Sequence, residues 1–132
     1  MKKSNSISEF AEHRRNFLRQ AFREAIARQS VIDANKAFKM AVDTPAPRFW
    51  VSEVRAAVVV GKILAGQDPL SSMFPEKAAM FREIFSRFQK LRAQRPDASI
   101  AELMVEIVNA PAPRSYISPS RMRTITRKPK KV

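Results

Sequence analysis

The chain has no cysteine, which excludes disulfides, thiol chemistry and cysteine-ligated zinc. It has one histidine, His13, set among Glu12, Arg14 and Arg15 on what reads as a solvated helix face. Neither a metal site nor histidine-based catalysis is expected from it. Glycine is equally scarce, with two residues in all, and strand-like alternation is nearly lacking, which points away from β architectures. Gly61-Lys62 has neither the upstream glycine nor the following hydroxyl residue of a phosphate loop. The longest uninterrupted apolar run, Ala56 to Val60, is far too short to cross a bilayer. Residues 1–15 carry two lysines with no apolar run behind them, so no secretory signal is expected there. Together these point to a cytoplasmic protein without membrane contact.

Acids are also in short supply. Asp plus Glu number 12 against 25 Lys plus Arg, a formal charge of +13. The acids are scattered, mostly at caps or on helix surfaces, and leave no convergent carboxylate pair, so no enzymatic activity and no cofactor is expected. The cationic excess attracts polyanions over a Debye length of roughly 8–10 Å. Nucleic acid is the commonest such partner, with DNA ahead of RNA; an acidic protein partner, a phage particle or a ribosome is the alternative. Oligomeric state is left open. At 132 residues and 45% hydrophobic content, the chain is long and apolar enough to bury a real core.

What the chain does have is a repeat. Pro45-Ala46-Pro47-Arg48-Phe49-Trp50-Val51-Ser52-Glu53-Val54-Arg55 returns 66 residues later as Pro111-Ala112-Pro113-Arg114-Ser115-Tyr116-Ile117-Ser118-Pro119-Ser120-Arg121. A repeat of this kind decides architecture before any other feature. It also extends upstream. Asp33 precedes Ala34, Ala37, Phe38, Ala41 and Val42 at helical spacing, and Ser99 precedes Ile100, Leu103, Met104, Ile107 and Val108 in the same register. Ser99 with Glu102 makes a capping box.

The remaining elements follow from periodicity and punctuation. A capping box at Ser6 to Glu9 opens a helix over roughly 8–28 with Phe10, Phe17, Ala21, Phe22, Ala25 and Ile26 inward. The two Pro-Ala-Pro segments stop the helices before them. Ser52, and Ser118 followed by Pro119, start the helices after them. The first of these carries Ala56, Val59, Val60, Ile63 and Leu64 inward and stops at Gly66; the second carries Met122 and Ile125. Pro75 opens a long helix to about residue 94 with Phe81, Ile84, Phe85, Phe88 and Leu91 inward. The fold class predicted is all-α: two pseudo-repeated three-helix, helix-turn-helix-like units on a shared core, with a basic C-terminal tail. The units span 1–66 and 75–126, with a linker at 67–74 and the tail at 127–132.

The candidate nucleic-acid-binding residues are Arg15, Arg19 and Arg23, one stripe at i, i+4 and i+8 of the first helix; Arg48 and Arg114 in the proline segments; and Arg55 and Arg121 one turn into the helices that follow. Arg123, Arg127, Lys128, Lys130 and Lys131 complete the set as part of an acid-free end, expected to stay disordered until it meets a polyanion. Each has a bland counterpart. Arg48 and Arg114 would equally hold their loops by capping carbonyls or pairing with Asp43 and Glu53. Trp50 and Tyr116 would stack on a base or, as the adjoining Val51 and Ile117 favour, plug the core. The helix order matches a helix-turn-helix domain, but the proline segment is far longer than the usual three- or four-residue turn, so a plain bundle with a basic face stands beside it.

The stretch Arg48-Phe49-Trp50-Val51-Ser52-Glu53-Val54-Arg55-Ala56, with Asn109-Ala110-Pro111-Ala112-Pro113-Arg114-Ser115-Tyr116-Ile117, resembles a group of small basic proteins of unknown function from Bacteroides-type bacteria, with phage or mobile elements as the expected carriers. The resemblance covers most of residues 10–125. It implies no activity and brings no functional residues with it. Val54 stands where the group has a second acidic residue, which weakens an ion-pair role for that turn.

Overall fold

The computed structural model describes the backbone of residues 6–127 and the side chains from Phe10 onward. The side chains of the expected Ser6–Glu9 capping box lie outside what is described, and the tail lysines Lys128, Lys130 and Lys131 lie outside the described residues. Six α-helices make up the described chain: α1 (Ser6–Ala27), α2 (Ala34–Val42), α3 (Glu53–Leu64), α4 (Pro75–Gln94), α5 (Ile100–Val108) and α6 (Pro119–Thr126), with a 3-10 turn at Pro69–Ser72. The protein is all-α, and no described helix is long and apolar enough to cross a membrane.

Local chemistry sets the helix ends. Asp33 accepts the amide of Lys36, Ser52 that of Arg55, Ser99 that of Glu102 and Ser118 that of Arg121. The Glu102 carboxylate returns the bond to the Ser99 amide, closing the capping box. At the other end of α3, Gly66 takes φ +87°. Its amide bonds Ile63 and that of Gln67 bonds Lys62, the pairing that terminates a helix at a left-handed residue.

The helices after the proline loops do not settle mainly on the helices that precede them. α3 packs on α5 and α4, whereas α6 packs on α2 and α1. The loops cross where Ala46 and Ala112 form an antiparallel bridge, each donating its amide to the other's carbonyl at 2.9 Å. The Phe49 amide donates to Val108 O at 2.9 Å and the Ser115 amide to Val42 O at 3.0 Å. Each of these contacts recurs 66 residues on with its partners exchanged. The physical reason is backbone satisfaction: a proline-stiffened segment makes little bonding of its own, the Val51 amide to Phe49 O being one such bond, and its other buried amides need partners. The other loop and the other short helix supply them. Packing therefore crosses the boundary expected between 1–66 and 75–126.

One apolar cluster joins all six helices. Leu18 sits fully buried in it, a position the aromatic spacing of α1 does not mark. Leu64 and Ala34, expected inward, are exposed; they are the last residue of α3 and the first of α2, where the chain leaves the core. Trp50 is 6% exposed and packs on Phe10 and Phe17 of α1 at centroid distances of 6.2 and 6.0 Å. Its indole N–H donates to Ser115 Oγ, so this ring is a core plug with its polar edge satisfied.

Candidate functional site

The crossing of the loops brings the two repeated segments to one place. Trp50, Val51 and Ser52 lead into α3, and Tyr116, Ile117 and Ser118 into α6, and all six line a cleft of about 710 Å³. The start of α4, from Phe74 to Phe81, and Phe10 with Arg14 of α1 close it. The lining is mostly apolar, and its charged members are Arg14, Arg55, Lys77 and Arg121 against one acid, Glu76. A smaller hollow of about 370 Å³ adjoins it, lined in part by Arg55, Lys62 and Lys77, and Phe74 belongs to both.

Arg55 and Arg121 occupy the same position, the third residue of their helices. Both are exposed, and neither guanidinium has a hydrogen-bond or ion-pair partner among the described residues. Arg14 is half-buried with its guanidinium 5.5 Å from the Phe10 centroid, and its Nε is buried without a partner among the described residues. Burial, then the charges of Arg121 and Arg15, hold its pKa below the usual guanidinium value. Like charges have been gathered here with Glu76 as the one acid among the described lining residues. Tyr116 has φ 57°, a left-handed conformation uncommon for a bulky residue. It is held by stacking on Phe49 at 6.1 Å and by Arg114 over its ring at 5.3 Å. Burial first, then Glu83, push its phenol pKa up.

The other candidates have different surroundings. Arg19 Nε donates to Thr126 O at 3.1 Å, tying α1 to the end of α6. Arg23 donates to Gln20 on its own helix, and Arg15 is half-buried beside Arg14. Arg123 donates to Asn35 at 2.6 Å and lies over Phe38 at 4.8 Å, tying α6 to α2. Arg127 caps the end of α6 and is exposed.

Arg48 and Arg114 both hold loops, but by different bonds. Arg114 donates to Asp43 Oδ1 through Nε and Nη2 at 3.2 and 3.1 Å. The residue 66 positions after Asp43 is Asn109, which has no charge to offer Arg48. Arg48 instead donates to the carbonyls of Phe49 and Val51 at 2.8 and 2.6 Å and lies over Phe10. Asn109 in turn donates to Glu53 Oε2 at 3.0 Å. That bond, with the Glu53 backbone amide and the charge of Arg48, outweighs burial and holds the Glu53 carboxyl below its usual range.

Arg14, Lys77 and Phe74 are among the cleft residues that sequence reasoning did not single out, with Glu76 and Met80. Phe74 had a signal, an aromatic immediately before the proline that opens a helix; Arg14 and Lys77 look like ordinary helix-surface cations. No protein-family model matches the chain, and no curated protein and no solved structure matches it.

Proposed function

We propose that this chain is a non-enzymatic, cytoplasmic nucleic-acid-binding protein, DNA ahead of RNA, that grips its ligand mainly through phosphates. In this reading it is a duplicated pair of helix-turn-helix-like units that have exchanged their third helices over a shared core, with a basic tail adding non-specific attraction. The observation that carries the reading is the convergence of Arg55 and Arg121 on one cleft, their guanidinium groups without a partner among the described residues, beside Arg14 and Lys77. Four cations against one carboxylate make a local field that a phosphodiester neutralises, and arginine adds bidentate donors. The exchanged loops explain how residues 66 positions apart reach the same ligand. Arg19, Arg48, Arg114 and Arg123 support the reading differently, by fixing the helices that present the cleft.

Fluorescence anisotropy with labelled DNA and RNA at increasing salt tests this. Log affinity falls steeply and linearly with log salt if phosphates dominate. Flat affinity, or no binding to any form, overturns the reading. A second reading, an adaptor docking on an acidic protein, a phage particle or a ribosome, is favoured by Val54 and Val58 on α3 and Val105 on the α5 helix packed against it, all exposed. A defined protein partner retained through a high-salt nuclease wash would support it.

A further inference from the structure

We propose that the cleft takes an unpaired nucleotide of single-stranded DNA, its base stacked on Phe74 and its two flanking phosphates held by Arg55 and Arg121. The proposal rests on the nucleic-acid reading above and adds to it which form of nucleic acid the site selects.

Three observations carry it. The first is size: about 710 Å³ falls in the range of pockets that enclose a single small organic group, roughly 300–1,000 Å³. A duplex can lay its phosphates across the rim but cannot enter. The second is the lining. Phosphates alone call for cations, yet Phe10, Trp50, Met80, Phe81 and Ile117 make the lining apolar beside the exposed Arg55 and Arg121. An apolar pocket with arginines in its lining suits a ligand that is both flat and anionic, as a nucleotide is.

The third is Phe74. It is 84% exposed, the only Phe, Tyr or Trp ring among the described side chains that is exposed. It precedes Pro75, whose fixed φ starts α4, so the ring stands on a stiff support and not on a long loop. It lines both the large cleft and the 370 Å³ hollow, as do Arg55 and Lys77. A strand passing from one to the other would keep its backbone on these cations while successive bases sit on either side of the ring. Bases inside a duplex are already stacked on one another and cannot reach it.

The test compares a labelled single strand with the duplex of the same sequence, using the full chain and its Phe74→Ala variant. Trp50 is the only tryptophan and lines the cleft, so its emission reports occupancy directly. The expected result is tighter binding of the single strand, with quenching of Trp50. Phe74→Ala should weaken single-strand binding about tenfold, the loss of one base–aromatic stack, leave duplex affinity unchanged and leave the melting temperature in place. If both forms bind with a steep salt dependence but Phe74→Ala leaves the single strand unaffected, this inference falls and the broader reading stands. Preference for the duplex has the same meaning. Absence of binding to either form overturns both.

Discussion

Trp50 donates its indole N–H to Ser115 Oγ at 3.1 Å, and Ser115 occupies the position that Phe49 holds 66 residues earlier. Phe49 in turn stacks on Tyr116, the counterpart of Trp50. Each loop thus rests its aromatic residue on the other loop, and the helix that follows is delivered to the far half of the molecule. The Ala46–Ala112 bridge fixes the crossing point. Damage to either loop should therefore be felt in both halves at once.

Trp50→Ala tests this mutual support. Removing a buried tryptophan should cost about 3–5 kcal/mol, measured by urea denaturation, and the single transition should stay cooperative. Ser115→Ala leaves the indole N–H buried without a partner and should cost about 1–3 kcal/mol. A Trp50→Ala protein with unchanged stability would mean the ring is not part of the core.

Arg14 should behave in the opposite way. Its Nε is buried without a partner among the described residues and its charge lies near Arg15 and Arg121, costs that its contact with the Phe10 ring offsets only in part. Arg14→Met keeps the length of the stem and should raise stability by about 1 kcal/mol while weakening nucleic-acid binding. A fall in both stability and binding would assign it a structural role.

Glu53 provides a pH-dependent check on the junction of α3 with α5. Its carboxyl is held below the usual range chiefly by the Asn109 amide. A carboxyl with a depressed folded pKa contributes stability that is complete above the unfolded value, about 4.3, and lost as pH falls through the folded value. Asn109→Ala should move the Glu53 titration upward, read by NMR of the side-chain carboxyl, and shrink the part of the acid-side loss of stability that Glu53 contributes. An unmoved titration would mean that the bond between Asn109 and Glu53 contributes little in solution.

The elements were legible in the sequence because their signals are local. Asp33, Ser52, Ser99 with Glu102, Ser118 with Pro119, and Pro75 each act within one turn, and each starts a helix where it was expected to. What was not legible depends on residues far apart in the chain. Nothing near Ser52 or Ser118 says which half α3 or α6 will join; that follows from the amide partners the loops find across the molecule. The roles of Arg48 and Arg114 diverge because Asp43 faces one and the uncharged Asn109 replaces it at the other. Arg14 and Lys77 read as ordinary helix-surface cations until the crossing brings them beside Arg55 and Arg121. Leu18 escaped notice because the phenylalanines of α1 dominate its apolar pattern.

The most direct measurement is the salt dependence of nucleic-acid binding by the Arg55→Ala, Arg121→Ala double variant. The expected result is a plot of log affinity against log salt shallower than that of the unaltered chain by about 1.4–1.8, two phosphates at about 0.7–0.9 each, with the melting temperature unchanged. An unaltered slope would contradict the convergence of these two arginines on phosphate. A collapse of the fold would show that they are structural.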